Sequence, residues 1–433
     1  MKNIPKKTIT ACFMIFLIIF STIPIVSNAE KIDKKDIENL FPEMTGIDKD
    51  LYMLHSENHL YLEASGNTSE FNVKYAFPPE YGYQIPIYLE IVDDTNASIV
   101  NYKIENDVNE PNKIINFTIS ELKKDQRVLI HFNSWVLIEN HDYSDMPPRV
   151  NIPKKSVYPE EVKQWLNSSS VVQSNKFLLK RKARHIKFLT FDVIRLAGKI
   201  AKFCKNHRYF MFLLQYNLFG FRSQDALTTL LINGECPGRS HLGCALFRAN
   251  NIPARVLLAN PTYSFSFEMH YMTEYYLHNY GWVLTEVHGA KTPHGPENQI
   301  IQRICYPEDE ADTQTDFLYP KMKGLERWLW IDNQNITPYY ANLKEGSKIK
   351  TFEDKKITID SSITGYITNL TRDVYYQFEY FQGMNLSGQN KIYFENAKQY
   401  QMDAINKLIE FSDLLYYYIE LQNANEEYNK ICI

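Results

Sequence analysis

Short runs of alternating apolar and polar residues fill the chain from about Leu51 to Glu139: Leu60 to Leu62, Phe71 to Tyr75, Ile87 to Val92, Ile114 to Ile119 and Val128 to Ile138. A period of two sends successive side chains to opposite faces, and turn-forming residues separate the runs, so the pattern predicts an antiparallel β-sandwich with its aromatic residues in the core. Pro147-Pro148, Pro153 and Pro159 then interrupt regular structure and mark a domain junction. From Asn175 to about Cys204 the period lengthens: Phe177, Ala183, Phe188, Phe191, Ile194, Ala197 and Ile200 predict one or two helices. A further helix is predicted after Cys236, with Leu242, Ala245, Leu246 and Ala249 on one side and Arg239 and Arg248 free to point elsewhere. His270 to Leu277 and Trp282 to Val287 flank His278-Asn279-Tyr280-Gly281 as the arms of a β-hairpin. Residues 289 to 320, with four prolines and the acidic Glu308-Asp309-Glu310, read as an irregular surface insertion, and strand character resumes at Trp328 to Ile331. Ile405, Leu408, Ile409, Leu415 and Ile419 predict one amphipathic helix from about Glu395 to Asn423, packed on the body.

The helix after Cys236 has readable ends. Proline suits the first helical position because its missing N–H has no intrahelical partner there, so Pro237 marks the start and Cys236 is the expected N-cap. Asn250-Asn251 marks the stop, since asparagine tolerates the left-handed conformation common just past a helix. A cysteine at the positive end of the helix dipole favours thiolate over thiol. In the hairpin, His270 shares a face with Met272, Glu274 and Tyr276. Glu286 must lie on that same face to reach the imidazole, for instance by standing opposite Met272; a one-residue slip would turn it away. A carboxylate beside an imidazole fixes its tautomer and stabilises its cation, leaving the second ring nitrogen for a thiol.

Taken together, Gly234 and Cys236, then Arg248-Ala249-Asn250-Asn251-Ile252-Pro253-Ala254-Arg255, then His270, then Gly281-Trp282-Val283 followed by Glu286, resemble the transglutaminase-like family of papain-type, cysteine-dependent acyl-transfer enzymes and peptidases. The resemblance spans about residues 215 to 290. It implies a helix carrying the nucleophile packed on an antiparallel sheet, with Cys236, His270 and Glu286 as a catalytic triad acting on amide bonds through a thioester. Three positions depart from the family pattern: Asn251 replaces glycine, Glu286 replaces aspartate, and Met272 stands where an aromatic is common. Hydrolysis is the favoured outcome, with transglutaminase cross-linking as one alternative and a non-catalytic binding module as another. A metal site from Cys236, His241, Cys244 and His288 is disfavoured, because the intervals match no common zinc pattern and the ligands would spread around a helix.

Composition narrows the setting. Lys2, Lys6 and Lys7, an apolar run from Ala11 to Phe20 and Ser27-Asn28-Ala29 predict a secretory signal peptide cut after Ala29, hence a secreted or cell-surface protein with no stable membrane span in the mature chain. Five cysteines remain, and an odd number leaves at least one thiol unpaired, as a nucleophile requires. The net charge of -4 gives no support for nucleic-acid binding. Between Lys176 and Lys205 ten Lys or Arg face one acid, Asp192, and the stretch is read as a solvated helical face. The expected organisation is α+β: signal peptide 1–29, antiparallel β-sandwich 30–140, linker 141–174, transglutaminase-like core 175–340, and a strand and helix extension 341–433. The expected substrate is a peptide or protein, and no cofactor or metal is called for.

Overall fold

The computed structural model describes residues 40–41, 48–92, 99–207, 224–232, 234–261, 270–310, 329–338, 350–411 and 413–432. The expected signal peptide lies outside them. Residues 45–433 form one compact unit, and among the described residues no helix is long and apolar enough to cross a membrane.

The alternating stretch folds into six strands: β1 (Asp48–Ala64), β2 (Phe71–Phe77), β3 (Gln84–Val92), β4 (Ile99–Asn106), β5 (Lys113–Ile119) and β6 (Arg127–Glu139). They lie in two antiparallel sheets, one containing β1, β6 and β3 and the other β2, β5 and β4. Side chains meet between them, as where Phe132 of β6 packs on Tyr75 and Phe117 with ring centroids 5.3 and 5.7 Å apart. Strand β4 is absent from the periodicity reading because it lies at a sheet edge, where mostly exposed positions leave no clean alternation.

Three later strands return to this sandwich. After the cysteine-bearing region, β11 (Leu329–Ile331) pairs with β2, while β12 (Ile336–Pro338) and β13 (Lys350–Asp360) pair with β1. Chain from both sides of the central domain therefore closes the sandwich, and the central domain is an insertion between its strands.

The inserted domain is a helical layer on a four-stranded antiparallel sheet. Its helices are α1 (Phe177–Lys187), α2 (Val193–Asn206), α3 (Ala226–Leu231) and α4 (Cys236–Arg248). Its strands run in the order β10 (Gln299–Cys305), β7 (Ala254–Pro261), β8 (His270–Leu277) and β9 (Gly281–Thr285). Strand β10 corrects the expectation that residues 289 to 320 are a surface insertion: all seven of its residues are buried. A fully buried strand carries no period-two signal, and the surrounding prolines mask it. Two amides of the sandwich cover its outer edge. Gln84 bonds both N and O of Ile301, and Asn112 bonds both N and O of Ile304, each at 2.8 Å.

Helix α4 lies against β8, with Phe247 stacked on Tyr275 at 5.1 Å and the Ser240 hydroxyl donating to the Tyr271 carbonyl at 2.8 Å. Every residue from Pro237 to Arg248 is buried, so the arginines expected to point away from the core do not reach water. Arg248 forms a two-pronged ion pair with Glu310 and donates to the carbonyls of Ala254 and Asn167 at 2.8 Å. The stop falls where the sequence puts it: Asn251 adopts a φ of 63°, and Ile252 N–H donates back to the Phe247 carbonyl.

The C-terminal region contains three helices, α5 (Ser361–Gln382), α6 (Gly388–Phe411) and α7 (Leu414–Asn429). Helix α5 packs on the sandwich through Phe378 against Tyr88. The single helix expected over 395–423 is two, because Asp413 caps a new start by accepting from Tyr416 N–H. An apolar repeat running through both helices hides that break.

Replacing Arg248 with methionine leaves the Glu310 carboxylate buried without its cation, and is expected to lower unfolding free energy by about 3–5 kcal/mol. Replacing Glu310 with methionine as well should recover part of the loss. Urea unfolding followed by tryptophan fluorescence measures both, and a single variant as stable as the parent would refute the assignment.

Candidate active site

The sequence expects Cys236 as the N-cap of α4; the structure gives that place to Glu235 and makes Cys236 the first helical residue, with Pro237 beside it. Hydrogen bonds and close packing hold this helix start. The Gln224 side-chain oxygen accepts from Glu235 N–H at 2.9 Å, and its backbone carbonyl accepts from His241 Nδ1–H at 2.6 Å. Arg239, one turn along, donates to the carbonyls of Gly234 at 3.1 Å and of Lys205 and His207 at 3.4 Å. Helix α3 approaches so closely that a β-carbon on Gly238 would lie 2.5 Å from Thr229 Oγ1 and 2.7 Å from Gln224 Oε1. The nucleophile candidate therefore sits on rigid backbone.

His270 is the first residue of β8. The hairpin register pairs Thr273 with Thr285 and Glu274 with Leu284, so Glu286, one residue beyond the last pair, falls in line with Met272. This register is one of those that put Glu286 on the face of His270. Glu286 then enters a tight turn, with its backbone paired to Lys291 at 2.9 and 3.0 Å. One carboxylate oxygen accepts from His288 N–H at 2.6 Å and Gly289 N–H at 3.3 Å; the other accepts from His270 Nε2–H. A β-carbon on Gly289 would come within 3.1 Å of Glu286 Cγ, so glycine there leaves room for the longer acid. The imidazole also hydrogen-bonds the Cys236 thiol, and the sulfur interacts with Tyr271 backbone N–H as well. Cys236, His270 and Glu286 are thus joined in one hydrogen-bonded chain.

Electrostatics follows from these contacts. Burial opposes the charge of the Glu286 carboxylate, but His270 and the backbone donors outweigh it and hold the group down at about 2. Burial likewise opposes a charged His270, yet Glu286 and the bond to Cys236 raise it to about 10. The Cys236 thiol is pushed up by burial, with His270 pulling the other way. Burial thus works against the thiolate that a helix start and His270 favour. His288, whose ring centroid lies 6.2 Å from that of His270, is lowered to about 4 by burial and then by Arg239. Gln224, Arg239 and His288 shape this environment. The sequence reading raised His288 only as a metal ligand and missed the other two as site residues, since nothing in local sequence distinguishes them.

The other thiols and imidazoles have separate surroundings. Cys244 lies 4.0 Å from the Thr273 hydroxyl, and burial pushes its thiol to about 12. His241 is fully buried against Gln224. Among the described residues, no three or more His, Cys, Asp or Glu are grouped to hold a metal ion. The five described cysteines are all free.

No curated protein matches the chain. Two solved structures are similar to it. One is a candidate cysteine protease from Cytophaga hutchinsonii, at 14% identity and a TM-score of 0.46, with 73% of this chain and 93% of that chain covered. The other is a candidate protease from Parabacteroides distasonis, at 11% identity and a TM-score of 0.22, with 53% and 42% covered. Residues 196–287, which include Cys236, His270 and Glu286, match the model of the transglutaminase-like superfamily, so the chain carries a transglutaminase-like domain.

Proposed function

We propose that this protein is an exported cysteine enzyme that hydrolyses amide bonds of peptide or protein substrates. The hydrogen-bonded chain from Cys236 through His270 to Glu286, on a transglutaminase-like domain, carries the reading. Cys236 gives its thiol proton to His270 and attacks the carbonyl carbon, forming a C–S bond as the carbonyl π pair moves onto oxygen. As the C–N bond breaks, the leaving amine takes a proton from His270, and a thioester remains. Water then attacks the thioester while His270 accepts its proton, releasing the acid and restoring the thiol. Glu286 holds the ring with Nε2–H toward the carboxylate and the other nitrogen toward sulfur. The N–H of Cys236, at a helix start, is a natural donor to the developing oxyanion. Export rests on the N-terminal segment and its small-residue cleavage pattern.

Peptide-library cleavage by the parent and by Cys236→Ala tests the enzyme reading. The variant should lose all cleavage, and identical profiles would sink the proposal. Glu286→Gln should keep the fold but lower kcat/KM by about 100-fold or more, because the amide cannot stabilise the imidazolium. With a glutamine donor and a labelled primary amine, ammonia release without incorporation is expected; dominant incorporation would reassign the protein as a cross-linking transglutaminase.

The raised thiol sets the pH dependence. Because burial lifts Cys236 above its ordinary 9.0, the thiolate fraction is small at neutral pH and grows as pH rises. His270 favours the anion, so His270→Ala should move the midpoint of iodoacetamide labelling at Cys236 further upward. Mass-spectrometric labelling across pH measures this, and a midpoint indifferent to the substitution would contradict the thiol and imidazole coupling.

A further inference from the structure

Helix α1 presents an unusual outer face. Its buried residues, Leu179 and Ala183, lie on the side toward the body. The opposite face, read at 100° per residue, carries Phe177, Arg181, Arg184 and, just past the end, Phe188. Phe177 is 67% exposed, and in the loop that follows Phe188, Leu189 and Phe191 are 71%, 76% and 66% exposed. The loop is not loosely held. Thr190 N–H donates to the Lys187 carbonyl at 2.7 Å, Lys199 Nζ reaches the Thr190 hydroxyl at 2.5 Å, and Ile152 N–H donates to the Phe191 carbonyl at 3.0 Å. Leu189 takes a φ of 54°, a left-handed conformation that a branched side chain rarely adopts. Exposure of four large apolar groups and that backbone conformation both cost stability.

The charge around these groups is one-sided. Lys176, Lys180, Arg181, Arg184, Arg195 and Lys199 are exposed. Asp192 is the one acid in this stretch, and its carboxylate is occupied by the backbone N–H groups of Val150 and Arg195. A solvated face would not need the aromatic residues, and a soluble polyanion would not need the apolar loop tip. We infer that α1 and the loop 188–191 dock this protein on an anionic lipid surface, with Phe188, Leu189 and Phe191 entering the headgroup and acyl boundary and the surrounding Lys and Arg engaging phosphates. Long basic side chains can lay their stems along the apolar layer while their charged ends stay at the headgroups, which suits arginines placed between two phenylalanines.

Vesicle sedimentation of the full chain tests this. Binding to mixed phosphatidylglycerol and phosphatidylcholine vesicles is expected, with weak binding to phosphatidylcholine alone and release by high salt. Phe188→Ser, Leu189→Ser and Phe191→Ser combined should lower the partition coefficient at least about tenfold, because the inserted apolar area is gone. Arg181→Glu with Arg184→Glu should lower it comparably. The changed side chains are exposed, so the melting temperature should stay at the parent value. Equal binding by parent and variants, as the N-terminal apolar run would produce, overturns the inference. So does heparin binding without vesicle binding, which would mark a soluble polyanion site. A dimer in sedimentation equilibrium that the serine substitutions dissociate, again without vesicle binding, would make the patch a self-association face and equally overturn it.

Discussion

The burial of helix α4 on all sides is the constraint that organises the molecule. A helix with no solvent-facing stripe must satisfy its polar groups internally, and here those include two arginines and a histidine. Arg248 takes Glu310 and the carbonyls of Asn167 and Ala254, Arg239 takes three carbonyls near the cysteine, and His241 takes Gln224. These contacts tie the helix to α2, to the connector before the domain and to the segment after β10. A cysteine at the head of such a helix has little freedom to move away from the strand that carries His270.

The sandwich and the inserted domain are joined by the same kind of exchange. Gln84 and Asn112 use side-chain amides where a neighbouring strand would use its backbone, and so complete the outer edge of β10. Beside them Arg255 lies 3.7 Å from the Trp282 ring centroid and pairs with Glu274, while Tyr81 of the sandwich donates to Glu274 at 2.5 Å. Buried polar groups of this kind need exact partners, because an unpaired one costs more than the bond is worth. They fix the domain on the sandwich in a defined position that apolar packing alone would leave looser.

At the triad, proximity and burial work in opposite directions. Packing around sulfur disfavours the thiolate, while the glutamate, held by two backbone N–H groups, favours the protonated form of the imidazole. The replacement of aspartate by glutamate is absorbed by the turn: Gly289 gives the extra methylene room, and the pairing with Lys291 fixes where the side chain begins.

Local chemistry made much of this legible in the sequence. Pro237 and Asn251 set the ends of α4 within one residue, alternation revealed most of the sandwich, and the parity of the hairpin dictated which register could unite His270 with Glu286. Each is decided by a residue's own backbone preference or by a period along the chain. What the chain order could not give were properties arising between distant segments. Strands β11 to β13 rejoin the sandwich across the whole inserted domain, β10 is buried too completely to show a period, and the arginines of α4 turn inward because Glu310 and backbone carbonyls meet them there. The raised thiol is of the same kind, since desolvation depends on how many atoms surround the sulfur, and only the tertiary structure decides that.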